Sequence, residues 1–209
     1  MPEITLDTVK ECLRIDSFDH IESHLRMAPL PRGMSPDPNG TPPREAGVLA
    51  LLVSEVDGLH VVLTRRQAHL RGHSGQISFP GGKRDPEDES FTDTALRETQ
   101  EELGIMPDDV RVLGQLSAVY IPPSNFNVYP TVGYLPTTPY FRPNPDEVAE
   151  VFTLPLNDLI DEHLKQYEYR DFQGVRVKIP YYLVHGHKVW GATAVMLSEL
   201  EHRLHLMLG

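Results

Sequence analysis

The pattern of hydrophobic and polar positions changes at about residue 45. Before it, hydrophobic residues recur at spacings of three and four, which predicts two short helices within residues 5–27. Residues 28–45 hold six prolines, which is typical of a linker and not of a packed element. We therefore expect residues 1–45 to form an N-terminal helical arm with a proline-rich linker, and residues 46–209 to form the main domain.

After residue 46, β-branched apolar runs predominate. The runs 48–56 and 59–65 are separated by Asp57-Gly58, a pair that favours a tight hairpin. Further strands are predicted at 76–79, 110–120, 127–135, 148–153, 167–172, 175–183 and 188–189. Helices are predicted from a Ser90 or Thr92 cap to about Leu103, at 156–162 and at 192–207. This order predicts an α/β (α+β) fold, an α/β/α sandwich in which helices cover both faces of a mixed β-sheet.

Composition limits the classes of partner. The formal net charge is -11, which is unsuited to nucleic acid over the surface as a whole. The longest clean apolar run, 48–53, has the length of a strand, and the N-terminus lacks a basic region followed by an apolar stretch. The single cysteine, Cys12, fits a reducing compartment. The expectation is a cytoplasmic protein with no membrane or nucleic-acid partner; residues 1–45 could pack on a second subunit of a homodimer.

Three carboxylates, Glu98, Glu101 and Glu102, lie on the predicted central helix. Spacings of three and four place them on one face, where like charges repel. A hard divalent cation with oxygen ligands, such as Mg²⁺, would remove this repulsion. Gly81-Gly82 precedes the helix and offers backbone that a phosphate can approach closely. The alternative for such a cluster is a solvated acidic helix face.

Basic residues are concentrated just before that helix. Five of the nineteen lysines and arginines fall within twenty positions: Arg65, Arg66, Arg71, Lys83 and Arg84. In an acidic chain this concentration indicates an anion site, although a solvated loop with salt bridges is the alternative. Beside the acidic helix, it suggests a bound diphosphate that bridges the cationic side chains and a metal ion.

Residues 97–105, Arg97-Glu98-Thr99-Gln100-Glu101-Glu102-Leu103-Gly104-Ile105, resemble the second half of the box of the Nudix hydrolases. Glu89 falls on the first glutamate of that box, Gly82 stands one residue early, and Thr99 replaces an aliphatic residue. Upstream, Leu63-Thr64-Arg65-Arg66, Arg71, Gly75 and Phe79-Pro80-Gly81-Gly82 resemble the signature of the coenzyme A pyrophosphatase subgroup. Val62 and Gln67 depart from that signature.

The resemblance implies a Nudix-type fold and a diphosphatase that depends on Mg²⁺ or Mn²⁺. It implies that Glu98 and Glu102 bind the metal directly, and that Glu101 shares it or binds it through water. Arg97 is expected to orient a box glutamate, with a structural salt bridge as the alternative. The general base is a box glutamate or a later carboxylate such as Glu147, for which a solvated loop is the alternative.

Three hypotheses for function follow. The first is hydrolysis of coenzyme A or its thioesters to 3′,5′-ADP and (acyl) 4′-phosphopantetheine, with substrate held by Arg65, Arg66, Arg71, Gly81, Gly82, Lys83 and Arg84. The second keeps the reaction but acts on another nucleoside diphosphate derivative, such as ADP-ribose or NADH. The third is a non-catalytic module that senses a nucleotide.

Overall fold

The computed structural model describes residues 4–30, 40–70, 73–172 and 174–209. The helices are α1 (Leu6–Leu13), α2 (His20–Met27), α3 (Phe91–Leu103), α4 (Leu156–Leu159) and α5 (Ala192–Leu208). The strands are β1 (Arg44–Glu55), β2 (Gly58–Arg66), β3 (Ile77–Ser78), β4 (Gly81–Lys83), β5 (Arg111–Gln115), β6 (Val119–Ile121), β7 (Phe126–Leu135), β8 (Val148–Pro155), β9 (Lys165–Phe172), β10 (Val175–Val184) and β11 (His187–Trp190). Short 3₁₀ turns occupy Pro107–Asp109, Pro122–Ser124 and Glu162–Leu164.

The larger sheet is mixed. Its strands run in the order β3-β2-β1-β7-β5, with β4 beside β1, β6 beside β7 and β8 beside β2. The pair β1–β7 is parallel, while β1–β2, β1–β4 and β2–β8 are antiparallel. The predicted hairpin at Asp57-Gly58 is confirmed, because Glu55 pairs with Gly58. A second sheet, β11-β10-β9, is antiparallel.

Helices cover both faces of the larger sheet. Alternate residues of β1 point to opposite sides, so Leu49 and Leu51 pack with Ala95 of α3, whereas Ala50 and Leu52 pack in the cluster that contains α5. All four β1 residues are completely buried. The predicted α/β/α sandwich with a mixed sheet is therefore confirmed.

The two predicted N-terminal helices are confirmed, and both pack on α5. His24 of α2 lies 2.8 Å from the carboxylate of Glu199, and Arg203 donates to the carbonyl of Cys12 at 3.2 Å. Most of the proline-rich linker, residues 31–39, lies outside the described residues. Since β1 begins at Arg44, regular structure starts slightly before the predicted boundary; the division into arm and domain stays a prediction.

Three sequence predictions of secondary structure need correction. The strand predicted at 110–120 is two strands, because Ser117 leaves the ladder and its N–H donates to Glu199. Strand β4 was missed because glycines favour turns, yet Gly81 and Gly82 pair with β1 through the backbone. The helix predicted at 156–162 ends at Leu159. Among the described residues, no helix is both long and apolar enough to cross a membrane.

Candidate active site

Helix α3 carries the predicted metal-binding carboxylates, and its ends are set by local chemistry. The hydroxyl of Ser90 accepts a hydrogen bond from the N–H of Asp93 at 3.1 Å, which caps the first turn. Gly104 adopts the left-handed conformation (φ 70°) that ends many helices. Both boundaries match the prediction from sequence. The helix packs on β1 and β4, and this places its carboxylates beside Gly81-Gly82.

The three glutamates differ in exposure. The side chain of Glu102 is 4% exposed and that of Glu98 is 16% exposed, whereas that of Glu101 is 54% exposed. A solvated acidic face would expose all three, so it accounts for Glu101 alone. Glu98 and Glu102 point toward the sheet side of α3, where a desolvated carboxylate needs a cation or hydrogen-bond donors.

Arg97 links α3 to the loop before it. Its Nε and Nη2 each donate to Asp88 at 3.0 Å, and Nη2 also donates to the carbonyl of Lys83 at 3.1 Å. Its Nη1 donates to Glu98 at 3.0 Å and to Glu101 at 3.1 Å. The bidentate pair holds the pKa of Asp88 far below its ordinary value and raises that of Arg97. Arg97 therefore combines the two predicted roles, a structural salt bridge and contact with the box glutamates.

Asp88 is a site residue that sequence reasoning missed. The sequence pointed to Glu89, but the side chain of Glu89 is exposed and that of Asp88 is buried. The signal was the turn Asp85-Pro86-Glu87-Asp88, in which a late Asp can bond the turn's own backbone. Asp88 does accept from the N–H of Asp85 at 3.0 Å, and it also accepts from the hydroxyl of Thr94 at 2.8 Å.

The carboxylate of Glu102 is buried and has few hydrogen-bond donors around it. Within the described chain, the hydrogen bond it accepts comes from the N–H of Gly81 at 3.3 Å, and Nη1 of Arg66 is 3.8 Å away. Burial raises the pKa of Glu102 to about 8, and the charges of Glu147 and Glu98 add to the rise. Burial likewise raises the pKa of Glu98. The site thus gathers negative charge that the protein itself only partly neutralises.

Gly82 allows β4 to lie against these carboxylates. A Cβ atom at this position would sit 2.4 Å from the carboxyl carbon of Glu98, closer than any real contact. Gly81 has φ 147°, which favours glycine, and its N–H faces Glu102. In the structure, the carboxylates of Glu98 and Glu102 lie close to this bare backbone. The predicted approach of a phosphate to it stays a prediction.

Glu147 lies in the loop before β8, and this loop is hydrogen-bonded to the end of α3. Its charge contributes to the raised pKa of both Glu98 and Glu102, so the three carboxylates share one electrostatic environment. Asn144 holds the loop in place: its side chain donates to Glu147 at 3.2 Å, and its N–H donates to the carbonyl of Glu102 at 2.8 Å. The role of Glu147 as a general base stays a prediction.

The donor set suits a divalent cation. Glu98, Glu102 and Glu147 supply carboxylate oxygens with few competing donors, which is the ligand chemistry of Mg²⁺ and Mn²⁺. Neither the three box glutamates nor the set Glu98, Glu102 and Glu147 has ligand oxygens that all lie within 4.8 Å of one another. Elsewhere in the described chain, two groups do meet that distance, and both are already bridged: His60 bonds Asp57 at 2.8 Å, and Lys165 bonds Glu162 at 2.8 Å.

The predicted substrate-binding cations differ in how close they lie to the carboxylates of α3. Arg66 lies beside Glu102, and its Nε is buried without a hydrogen-bond partner. Arg65 donates to Glu150 at 2.9 Å, and Arg84 donates to the carbonyl of Asp88 at 3.1 Å. The side chain of Lys83 is exposed, and Arg71 lies outside the described residues. Arg66 is therefore the predicted cation that the structure brings to the carboxylates.

A cavity of about 400 Å³ adjoins the carboxylates. It lies between the larger sheet, the end of β11 and the start of α5, and it shares Arg66 and Gly81 with the site. Most of its wall is aliphatic or aromatic, including Phe79, Trp190 and Val195. Its lining comes from segments far apart in the chain, so no local pattern of residues predicts it.

The NUDIX domain family matches residues 43–173 of this chain, which therefore belongs to the Nudix family. The chain is 37% identical over 182 residues to the uncharacterized Nudix hydrolase NudL of Photorhabdus laumondii, covering 86% of this chain and 92% of the relative. It is 40% identical over 163 residues to the protein of the same name from Pectobacterium atrosepticum, covering 75% and 81%. The crystal structure of the MutT protein from Methanosarcina mazei Go1 has a similar fold, with a TM-score of 0.50, 19% identity and coverage of 78% and 95%.

Membership of this family defines the class of reaction. The protein is a Nudix pyrophosphohydrolase, which hydrolyses the pyrophosphate bond of a nucleoside diphosphate derivative and uses a divalent metal ion. The resemblance of residues 97–105 to the Nudix box is thereby confirmed, and a non-catalytic module is not supported.

Proposed function

We propose that this enzyme hydrolyses the diphosphate bond of coenzyme A or its thioesters, with Mg²⁺ or Mn²⁺, to 3′,5′-ADP and (acyl) 4′-phosphopantetheine. The observation that carries the proposal is the position of Arg66, which with Arg71 matches the two fixed arginines of the upstream signature. Its guanidinium lies 3.8 Å from Glu102, its buried Nε lacks a partner, and it lines the cavity. An anion with two phosphates would supply the missing acceptor.

We assign roles to the side chains on the basis of their placement. Glu98 and Glu102 would hold the metal ion directly and Glu101 would share it or bind it through water; the ion would neutralise charge on the phosphoryl oxygens and lower the pKa of a bound water. Arg66 donates to a non-bridging oxygen of the diphosphate, while Gly81-Gly82 leaves room for it. Arg97 keeps Glu98 in position through the 3.0 Å hydrogen bond.

Glu147 is the side chain that we assign to take the proton of the attacking water. Its charge helps to raise the pKa of Glu98 and of Glu102. Its loop is anchored by Asn144, whose N–H donates to the carbonyl of Glu102 at 2.8 Å, and by the N–H of Gln67, which donates to the carbonyl of Glu147 at 2.8 Å. Glu147→Gln should lower kcat about a hundredfold or more while KM stays nearly constant. A box glutamate is the base instead if kcat of this variant is unchanged.

The second candidate is another nucleoside diphosphate derivative, because Val62 and Gln67 depart from the coenzyme A signature. In the structure, Gln67 donates to the carbonyl of Pro145 at 2.8 Å, so this departure also serves the loop that carries Glu147. Rates with coenzyme A, dephospho-coenzyme A, NADH and ADP-ribose would separate the candidates. The proposal predicts that coenzyme A has the highest kcat/KM; intact coenzyme A beside cleaved ADP-ribose would refute it.

Glu98→Gln tests whether the measured hydrolysis belongs to this site, and Glu87→Gln is the matched control because Glu87 is an exposed glutamate of the preceding loop. We expect the first variant to lose at least a hundredfold in kcat and the second to keep full activity. Activity that survives in Glu98→Gln would place the chemistry elsewhere.

A cytoplasmic location and a homodimer are further proposals. The lone cysteine supports a reducing compartment, and the exposed Ile21 and Leu25 of α2 support a subunit contact through the N-terminal arm. Sedimentation of the wild type and of an Ile21→Lys variant would test the dimer: the variant should be a monomer.

A further inference from the structure

The loop before β8 is fastened to the C-terminal end of α3. The N–H of Arg142 donates to the carbonyl of Leu103 at 2.8 Å, and the N–H of Asn144 donates to that of Glu102 at 2.8 Å. A helix leaves its last carbonyls without partners inside the helix, and these two hydrogen bonds supply partners from outside. The loop is therefore held beside Glu102, whose carboxylate belongs to the candidate site.

The side chain of Asn144 organises the rest of this loop. Its Oδ1 accepts a hydrogen bond from the N–H of Asp146 at 3.1 Å, in the turn that asparagine makes with backbone two residues ahead. Its Nδ2 donates to Oε1 of Glu147 at 3.2 Å. The N–H groups of Glu147 and Val148 donate to the carbonyl of Asn144 at 3.1 and 2.8 Å and close the same turn. One residue thus connects the end of α3 with the carboxylate of Glu147.

The carboxylate of Glu147 depends on this hydrogen bond for its direction. Glu147 is half-buried, and among the described residues the amide of Asn144 is the one donor within hydrogen-bond distance of its carboxylate. A base must lie within about 2.6–3.2 Å of the group whose proton it takes, so the direction of the carboxylate matters for catalysis. The bond to Oε1 leaves Oε2 free to accept that proton.

Gln67 anchors the loop from the other side, through its backbone path. It donates from its N–H to the carbonyl of Glu147 and from its side chain to the carbonyl of Pro145, each at 2.8 Å. Neither bond reaches the carboxylate of Glu147. The path of the loop and the direction of the carboxylate are therefore controlled by different side chains, so a substitution at Asn144 can change the second and leave the first.

We propose that Asn144 is a positioning residue, which directs the carboxylate of Glu147 toward the water that attacks the diphosphate. In that step the water oxygen bonds to phosphorus, its proton passes to Glu147, and the bridging P–O bond breaks with its electron pair left on the departing phosphate. The inference rests on the proposed function, because it takes Glu147 as the base. Asn144 acts through Glu147, so its loss should reduce turnover and not substrate binding.

The first test is Asn144→Ser, which removes the donor to Glu147 and keeps a hydroxyl that can accept from the N–H of Asp146. We expect kcat to fall about tenfold while KM stays within about twofold of wild type and the melting temperature is unchanged. Asp146→Asn is the control, because the side chain of Asp146 is exposed in the same loop, and it should keep full activity. Wild-type kcat in Asn144→Ser would refute the proposal.

A double-mutant cycle separates positioning from a loss of structure. If Asn144 acts through Glu147, Asn144→Ser should lower the kcat of Glu147→Gln by less than about twofold, because the group that it directs no longer serves as a base. A purely structural role would give about the same tenfold loss in both backgrounds. That additive result would overturn the proposal.

Binding of Mn²⁺ provides a measurement other than activity. The dissociation constant, measured by EPR spectroscopy, should be within about twofold of wild type in Asn144→Ser, because the backbone hydrogen bond from residue 144 to Glu102 is kept. Mn²⁺ binding that is weaker by about tenfold or more would contradict the proposal, since Asn144 would then act through the metal ligands.

The positioning role and the proposed function fail in different ways. The kinetic tests use whichever of coenzyme A and ADP-ribose the wild type cleaves faster, so an error in the proposed substrate leaves them valid. If Glu147→Gln keeps wild-type kcat, the assignment of the base falls and the positioning role falls with it. If Glu147→Gln loses activity and Asn144→Ser does not, the positioning role alone falls.

Discussion

Two buried glutamates, Glu102 in the candidate active site and Glu199 in α5, are surrounded in opposite ways. Glu199 is completely buried, and its carboxylate accepts hydrogen bonds from His24, Arg203 and both the N–H and hydroxyl of Ser117. Burial alone would raise the pKa of Glu199, but these donors outweigh it and the pKa is lowered. Glu102 has one long hydrogen bond, from Gly81, and its pKa is raised to about 8.

The difference lies in the donors and not in the depth of burial. Donors around Glu199 tie α2, α5 and the loop between β5 and β6 together, so its negative charge is neutralised within the fold. The charge of Glu102 is left for something outside the protein to neutralise, as a metal-binding carboxylate requires. A buried acidic residue is therefore a better indicator of function when its donors are few.

The largest expected effect comes from removing the charge of Glu102. Glu102→Gln should lower kcat about a thousandfold or more, because a proposed metal ligand is lost. Its melting temperature should be nearly unchanged below pH 8, where the raised pKa keeps Glu102 largely protonated, and higher than that of wild type above pH 8, where a buried charge with one weak donor is removed. Hydrolysis assays with Mg²⁺ and thermal unfolding measure the two effects; a folded variant with full activity would contradict the comparison.

The same substitution at Glu199 should have the opposite effects, lowering stability and leaving kcat nearly unchanged. Glu199→Gln leaves Arg203 facing a neutral group in the interior, so the free energy of unfolding should fall by about 3 kcal/mol. The kcat of the folded variant should remain within twofold of wild type. Urea unfolding and kcat measured on the same preparation would test this; a stable variant would show that the network around Glu199 is dispensable.

Each of the two regions contains an arginine that bonds its carboxylates: Arg97 in the candidate active site and Arg203 beside Glu199. Arg97→Lys loses the bidentate pair with Asp88 and the contact with Glu98 and Glu101, so kcat should fall about tenfold to a hundredfold. Arg203→Lys keeps one charge near Glu199 and should cost about 1–2 kcal/mol of stability with little change in kcat. Reversed outcomes would mean that the two arginines have been assigned to the wrong sites.

The smallest effect is a pH dependence of stability. Since the pKa of Glu199 is lowered on folding, its contribution is present above its ordinary value of 4.5 and is lost as pH falls through the folded value. The difference in unfolding free energy between wild type and Glu199→Gln should therefore shrink as pH is lowered from 6 to 3. A difference that is constant over this range would contradict the lowered pKa.

Turns and helix caps could be predicted from the sequence without a structure. Asp57-Gly58 predicted the hairpin, a Ser90 or Thr92 cap predicted the start of α3, and Gly104 predicted its end. Turns and caps depend on residues within a few positions of one another, and the structure selects Ser90 as the cap. The spacing of Glu98, Glu101 and Glu102 likewise depends on the helix alone. Strand β4 could not be predicted in this way, because it forms by pairing with a distant strand: Lys83 of β4 pairs with Ala46 of β1, thirty-seven positions earlier.

By itself, the sequence determined the class of fold, the helix that carries Glu98, Glu101 and Glu102, and the basic segment, since these follow from periodicity, caps and local spacing. Only the tertiary structure decided which carboxylate is buried and that Asp88 and not Glu89 meets Arg97. It also formed the apolar cavity beside Arg66. The physical reason is that desolvation and long-range pairing depend on which surfaces of the chain meet, and no short segment contains that information.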